Sequence, residues 1–214
     1  MENNENNCDG IKIALLGNSG VGKTCIILRY TKNEFDYNSL STHGANYSSK
    51  TITIDNKDIR LDLWDTAGQE QYRSLGMYFY KDAHIVVLVY DITNRDSFDA
   101  LKNVWYNDLK KRGEKYTVLD VVGNKCDLYE QENIVSEEEA RQFAEEKNAI
   151  FMLVSAKNGD NINNLFKILA NKYFDPFFQE QIKESNEKAE GSVRLKKKNK
   201  EEEQKIKERN KGCC

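Results

Sequence analysis

The sequence Gly17-Asn18-Ser19-Gly20-Val21-Gly22-Lys23-Thr24 decides how the chain is interpreted: it is a glycine, four residues, and then Gly-Lys-Thr. An apolar run, residues 11–16, precedes it, and a second apolar stretch, residues 25–28, follows it. In this order of strand, glycine-rich turn and helix, the motif predicts a phosphate-binding loop. Backbone N–H groups of the loop and the start of the helix would face an anion. We expect Lys23 to reach the β- and γ-phosphates of a nucleotide and Thr24 to hold Mg²⁺.

Length and composition set limits on the rest. The 214 residues are 39% hydrophobic and 31% charged, which fits one α/β domain with a polar appendage. A net charge of −3 gives no case for nucleic-acid binding. We find no apolar run of about 18 residues and no secretory signal, and five scattered cysteines do not form a disulfide framework. We therefore expect a cytosolic protein with reduced thiols.

Strand patterns and helix patterns alternate along the chain. The pattern predicts strands over residues 11–16, 47–54, 59–64, 85–90, 118–122 and 150–154, with a hairpin turn over 55–58. It predicts helices over residues 22–32, 97–112, 137–147 and 162–173, the third opened by a capping box at Ser136. This order, together with the phosphate-loop motif, predicts the α/β fold of a P-loop NTPase: a mostly parallel six-stranded sheet with one antiparallel edge strand and helices on both faces.

A second polar segment, Asp65-Thr66-Ala67-Gly68-Gln69, follows a predicted strand. A carboxylate at a strand end opposite the phosphate loop can hold Mg²⁺, usually through water. The Gly68 N–H can approach a γ-phosphate, and Gln69 can orient an attacking water. The alternative is a solvated Asp-Gly turn.

Two further segments follow the next strands of the predicted sheet. In Asn124-Lys125-Cys126-Asp127, the Asp127 carboxylate can accept hydrogen bonds from N1–H and the exocyclic amine of guanine. Adenine offers no such pair of donors, so this residue would select the base. Lys125 can lie along the ring, and Ser155-Ala156-Lys157 can supply a backbone N–H to the base carbonyl. The alternative for each is an ordinary polar loop.

Together these segments resemble the small Ras-like GTPases in order and spacing, over about residues 11–174 and the C-terminus. The stretch Trp64 to Glu70 and the terminal Cys213-Cys214 are similar to Rab proteins in particular, and Gly44-Ala45 to their endosomal branch. The resemblance implies a guanine-nucleotide site. Its members are Ser19, Gly20, Val21, Gly22, Lys23, Thr24, Cys25, Phe35, Thr42, Gly68, Asn124, Lys125, Asp127, Ser155, Ala156 and Lys157.

The resemblance also implies individual roles. Thr42 matches the threonine that contacts Mg²⁺ and the γ-phosphate, so Thr24, Thr42 and Asp65 are the expected metal ligands. Phe35 matches the aromatic residue beside the base, and Lys23 and Gln69 are the expected catalytic residues. Tyr47, Trp64 and Phe79 match the aromatic patch that Rab proteins use to bind effectors, although the same rings could simply pack. His43, Met77 and Phe79 depart from the usual family residues and bear on the choice of partner.

The C-terminal region is rich in charge. Residues 191–212 hold nine Lys or Arg and four Glu, a local charge of +5. We expect this basic segment to be attracted to an anionic membrane surface. The ending Cys213-Cys214 resembles the Rab double cysteine that receives two geranylgeranyl groups, and stable anchoring needs two such signals. The predicted organisation is a disordered segment (1–9), a GTPase domain (10–176) and a flexible tail (177–214).

The sequence thus predicts a monomeric GTP/GDP switch that hydrolyses GTP slowly, recruits effectors in its GTP form and regulates vesicle trafficking. The expected partners are an exchange factor, a GTPase-activating protein, a GDP-dissociation inhibitor, an escort protein and effectors. The expected location is the cytosol and the cytoplasmic face of endomembranes, endosomes among them. Two alternatives remain: a nucleotide-binding module that does not switch, and a phosphate-loop kinase, which would need an arginine-rich lid that the sequence does not show.

Overall fold

The fold is described from a computed structural model that covers residues 10–37, 42, 44–68, 81–112, 118–130 and 135–176. The contacts divide the chain into two units, Met1–Tyr173 and Phe174–Cys214. Of the second unit, the structure describes residues 174–176. The predicted domain boundary after residue 176 therefore stays a prediction, as do the segments 1–9 and 177–214.

One sheet of six strands organises the described part of the chain. Its spatial order is β2-β3-β1-β4-β5-β6; β2 and β3 pair antiparallel, and the other pairs are parallel. This confirms the predicted mostly parallel sheet with one antiparallel edge strand. The strands are β1 (Ile11–Leu16), β2 (Ala45–Ile54), β3 (Lys57–Thr66), β4 (Ile85–Asp91), β5 (Val118–Asn124) and β6 (Ile150–Leu153).

The hairpin between β2 and β3 is tighter than predicted. Only Asp55 and Asn56 form the turn, with φ of 48° and 61°. Two residues with positive φ suit a hairpin because their twist matches that of the flanking strands. Lys57 and Asp58, predicted in the turn, pair instead with Ile54 and Thr53. At its other end β3 continues past Trp64 through Thr66, because β2 begins at Ala45 and pairs with it there.

A helical segment follows each of β1, β4, β5 and β6. The segment predicted as one helix over residues 97–112 begins at Arg95, and Leu101–Trp105 forms a π-helical turn in which the Tyr106 N–H donates to the Leu101 carbonyl. Ser136 caps the next helix as predicted, since its side chain accepts from the Glu139 N–H. The helices are α1 (Lys23–Lys32), α2 (Arg95–Ala100), α3 (Tyr106–Arg112), α4 (Glu137–Glu146) and α5 (Ile162–Phe174), with a short 3₁₀ turn at Cys126–Leu128.

Helices cover both faces of the sheet. On one face, Phe98, Leu101, Trp105 and Leu109 pack in a core that also contains alternate strand residues and Ala140 and Ala144 of α4. The intervening strand residues point to the other face, where α1 and α5 meet through stacked rings of Tyr30 and Phe166, 3.9 Å between centroids. Among the described residues, no helix is both long and apolar enough to cross a membrane.

The parallel strands place their carboxyl ends along one edge of the sheet. Leu16, Thr66, Asp91, Asn124 and Leu153 end their strands there. Ligands of such sheets bind beyond this edge, so the predicted polar segments are brought to one place.

Candidate functional site

The phosphate loop runs from the end of β1 into α1. The helix begins at Lys23, and Gly22 precedes it with φ of 94°. A side chain at Gly22 would be strained by this conformation, and its Cβ would lie 2.2 Å from the Asn124 amide nitrogen. Glycine is therefore required for the loop to turn against the end of β5.

Lys23 is buried within the loop. Its ammonium group donates to the carbonyl oxygens of Gly17 and Asn18, at 2.8 and 2.9 Å. Burial lowers the pKa of Lys23 to about 8, and the nearby Asp65 carboxylate opposes that shift. At neutral pH the side chain is therefore mostly charged and is held in the loop.

Three oxygen-bearing side chains converge beside Lys23. The Thr24 and Thr42 hydroxyls donate to the same oxygen of Asp65, Oδ2, at 2.7 and 3.1 Å. The other oxygen, Asp65 Oδ1, is buried and has no hydrogen-bond partner among the described residues. Burial raises the pKa of Asp65, so this position favours a nearby cation.

These groups fit Mg²⁺. Magnesium prefers oxygen ligands and is usually held by one or two carboxylates together with substrate phosphates. The described residues contain no cluster of three or more His, Cys, Asp or Glu side chains. A single carboxylate with two hydroxyls beside a phosphate loop matches the magnesium pattern.

The segment after β3 lies directly against the phosphate loop. The Ser19 N–H donates to the Gly68 carbonyl at 3.2 Å, and the Ala67 N–H donates to the Gly44 carbonyl at 2.8 Å. A Cβ at Gly68 would lie 2.3 Å from the carbonyl carbon of Asn18 and from the nitrogen of Ser19. Glycine is required by this close approach. Gln69, the predicted water-orienting residue, lies outside the described residues.

Asn124 ties the two ends of the site together. Its side-chain NH₂ donates to the Val21 carbonyl of the phosphate loop at 2.8 Å. Its side-chain oxygen accepts from the Ala156 N–H at 3.2 Å. Asn124 is thus placed to set the distance between the phosphate loop and the loop after β6.

The neighbouring side chains of the same segment are also held. Lys125, in a left-handed conformation, places its ammonium 2.6 Å from a carboxylate oxygen of Asp91, at the end of β4. The Ser155 hydroxyl donates to Asp127 Oδ1 at 2.5 Å, and the Lys157 ammonium lies 3.8 Å from Asp127 Oδ2. These contacts orient the Asp127 carboxylate.

Arg29 of α1 fixes the loop after β6. Its guanidinium donates to the carbonyl oxygens of Ala156 and Lys157, at 2.8 and 2.6 Å. Sequence analysis did not assign a role to Arg29 or Asp91, because both act through partners far away in the sequence.

A cleft of about 370 Å³ joins these parts. Val21, Asp65 and Ser155 are buried behind its wall. Sequence analysis missed four lining residues: Asp36, Tyr37, Thr66 and Leu128. The predicted residues that line the cleft are Ser19, Gly20, Gly22, Lys23, Thr24, Cys25, Phe35, Thr42, Gly68, Asn124, Lys125, Asp127, Ala156 and Lys157.

Two residues of the predicted aromatic patch, Tyr47 and Trp64, lie on the β2–β3 hairpin and do not line the cleft. Tyr47 and Trp64 are cross-strand partners with ring centroids 5.3 Å apart, and the Tyr47 hydroxyl donates to Asp62 at 2.6 Å. Tyr47 is 53% exposed, so packing alone does not account for its position. Phe79, His43, Met77, Cys213 and Cys214 lie outside the described residues.

Comparison with known proteins agrees with this geometry. Residues 12–175 match the Ras family. The chain is 33% identical over 205 residues to "GTP-binding protein YPT1" of Saccharomyces cerevisiae, covering 95% of this chain and 96% of that protein. It is 40% identical over 156 residues to "Ras-related protein Rab-22A" of Homo sapiens, covering 73% and 79%. It is also 40% identical over 162 residues to "GTP-binding protein ypt5" of Schizosaccharomyces pombe, covering 75% and 76%.

Proposed function

Since this chain belongs to the Ras family, and within it to the Rab GTPases of vesicle trafficking, we propose that GTP binds in its cleft and is hydrolysed there. One observation carries the proposal. Thr24, Thr42 and Asp65 converge beside Lys23 at one end of the cleft, and Asp127 is oriented at the other. A triphosphate and a purine base fit those two ends.

Thr24 and Thr42 would ligate Mg²⁺ directly, with Asp65 behind a water. When bound, the ion would neutralise negative charge that develops during phosphoryl transfer. The buried Asp65 carboxylate stays ionised more readily with a cation beside it. Lys23, held within the phosphate loop, would stabilise the same developing charge.

Hydrolysis needs a water aligned with the γ-phosphate. We assign that alignment to Gln69 and the adjoining Gly68 N–H, since Gly68 lies against the phosphate loop. No arginine lines the cleft in the described part of the chain. Unaided turnover should therefore be slow, on the order of 10⁻⁴ s⁻¹, and about 10⁵-fold faster with an activating protein that supplies the missing charge.

Asp127 would select the base. Its carboxylate would accept from the guanine N1–H and amine. A backbone N–H of the segment Ser155-Ala156-Lys157, which Arg29 and Asn124 hold in place, would face the base carbonyl. Lys125 would lie along the ring, with Phe35 at its edge.

The two nucleotide states would differ at Thr42 and Gly68. The γ-phosphate would hold both segments in place, and its loss would release them. Effectors would then bind the GTP form through Tyr47, Trp64 and Phe79. Rab relatives indicate that the partners are regulators and effectors. We propose four regulators for this chain: an exchange factor, a GTPase-activating protein, a GDP-dissociation inhibitor and an escort protein.

Rab relatives indicate association with endomembranes. We propose that prenylation of Cys213 and Cys214, with the basic tail, provides the anchor, and that the membrane is endosomal. Two lipid chains and a polybasic segment give stable attachment where one chain does not.

The test is base selectivity measured on the purified protein. GDP should bind far more tightly than ADP. Asp127→Ala should weaken GDP binding by about 100-fold or more, since two hydrogen bonds to a charged group are lost, and leave ADP binding unchanged. Asp160 is an exposed aspartate in the loop after β6. Asp160→Ala is therefore the matched control, and this variant should bind GDP as the wild type does. Equal affinity for GDP and ADP would contradict the proposal and favour the phosphate-loop kinase.

A further inference from the structure

The phosphate loop is contacted by a tryptophan from the helical segment that follows β4. The indole N–H of Trp105 donates to the side-chain oxygen of Asn18 at 2.8 Å. Trp105 is buried at 4% exposure, and a buried indole N–H requires such a partner. Trp105 does not line the cleft, so any influence on a nucleotide passes through Asn18.

Asn18 is the point where three parts of the site meet. Its carbonyl oxygen accepts from the Lys23 ammonium at 2.9 Å. Its carbonyl carbon and the Ser19 nitrogen lie so close to Gly68 that no Cβ fits there. A shift of Asn18 would therefore be transmitted to Lys23 and to Gly68.

Trp105 ends an irregular stretch of its helix. The π-helical turn Leu101–Trp105 separates α2 from α3. Such turns appear frequently at functional sites. The flanking core residues Phe98 and Leu109 keep the helix packed on the sheet on both sides of the turn, so the position of Trp105 is well determined.

We propose that Trp105 is a positioning residue for GTP hydrolysis: its N–H holds Asn18, and through Asn18 it fixes Lys23 and Gly68 relative to each other. This rests on the proposed function, because it assumes that the reacting phosphate lies between those two residues. The competing explanation is that the bond only satisfies a buried donor.

A double-mutant cycle on single-turnover GTP hydrolysis separates the two. Trp105→Phe keeps the ring in the core and removes the N–H, and Asn18→Ala removes the acceptor. The loss of one hydrogen bond predicts a fall of about 3- to 10-fold for Trp105→Phe. In the Asn18→Ala background, Trp105→Phe should cause no further fall.

Leu101→Val controls for a general loss of stability, since it removes apolar volume from the core at the same helical segment without touching the Trp105 N–H. It should lower the melting temperature and leave the hydrolysis rate unchanged. The proposal is overturned if Trp105→Phe behaves like this control, or if the losses in the double variant multiply.

A second measurement does not depend on hydrolysis or on changing Trp105. The chain has two tryptophans, so Trp64→Phe leaves Trp105 as the only tryptophan, and its emission is measured with excitation that tyrosine does not absorb. Replacing GDP with a non-hydrolysable GTP analogue should shift its emission, and adding Asn18→Ala should abolish the shift. An unchanged emission overturns the proposal. If the wild-type chain hydrolyses no GTP, the proposed function fails and the hydrolytic role of Trp105 fails with it, whereas the fluorescence result still decides whether Asn18 couples Trp105 to the nucleotide site.

Discussion

The hydroxyls of Thr24 and Thr42 lie 2.8 Å apart, although 18 residues separate them in the sequence. Thr24 belongs to the first turn of α1, whereas Thr42 lies between α1 and β2 in the chain. Their shared contact with Asp65 Oδ2 therefore joins α1 to Thr42. A ligand that binds at this point would hold Thr42 in place, and its release would free Thr42.

The first prediction concerns the metal. Asp65→Asn should lower the affinity of the site for Mg²⁺ by about 10- to 100-fold, as expected when a residue that holds the ion through a water is changed. The rate of GDP dissociation, measured over a series of Mg²⁺ concentrations, should therefore fall only at correspondingly higher Mg²⁺ in the variant. Without metal, the variant should melt no lower than wild type, because a neutral amide replaces a buried carboxylate.

Asp62→Asn provides the matched control on the same strand. It should keep the wild-type dependence of GDP release on Mg²⁺. If Asp65→Asn also kept that dependence, Asp65 would not belong to a metal site.

The second prediction concerns the Ser155 hydroxyl. Ser155→Ala should weaken GDP binding by about 10-fold or more, since a hydrogen bond to a charged carboxylate contributes ~1.5–3 kcal/mol. Isothermal titration of the purified variant with GDP would measure the change in affinity. Ser136→Ala, which removes a helix cap remote from the base loops, should lower stability and leave GDP affinity intact. An unchanged affinity in Ser155→Ala would show that Asp127 needs no orienting partner.

The third prediction concerns a group outside the site. Asp120 of β5 is fully buried, and neither of its carboxylate oxygens has a hydrogen-bond partner among the described residues. Burial raises its pKa well above the usual value. Asp120→Val should therefore stabilise the fold by about 1–3 kcal/mol at neutral pH, as measured by chemical denaturation.

The pH dependence of that stability follows from the same shift. The unfolded chain ionises Asp120 near pH 4, whereas the folded chain keeps its proton to higher pH, so ionisation favours unfolding. Wild-type stability should fall relative to Asp120→Val as pH rises above about 4, by up to about 1.4 kcal/mol per pH unit. Asp120→Asn cannot ionise and should lack this slope. A constant difference between wild type and Asp120→Val from pH 4 to 8 would mean that Asp120 is not held neutral.

The order of elements followed from the sequence because local patterns determine it. The β-branched run of β4 predicts a strand buried on both faces, and the Gly-Lys-Thr ending predicts the loop before α1. The π-helical turn could not be predicted, because the spacing of Phe98, Leu101, Trp105 and Leu109 suits an unbroken helix equally well. The extension of β3 to Thr66 could not be predicted either, because it depends on pairing with the start of β2 at Ala45 and not on the local sequence of β3.

The site was predicted where a motif names its residues and missed where distant partners meet. Asp127 and Lys23 stand in recognisable patterns. Arg29, Asp91 and Trp105 do not, because each acts on residues that only the folded chain brings near. The burial of Asp120 was equally hidden, since a charged residue inside a predicted strand ordinarily faces solvent.

The central claim is that the nucleotide switches the segments around Thr42 and Gly68. Hydrogen exchange, compared between the GDP-loaded chain and the chain loaded with a non-hydrolysable GTP analogue, tests it most directly. We expect slower exchange in the analogue form at residues 42–45 and 66–68, with β4 and β5 unchanged. Equal exchange in the two forms, with loading verified, would contradict it and leave a nucleotide-binding module that does not switch.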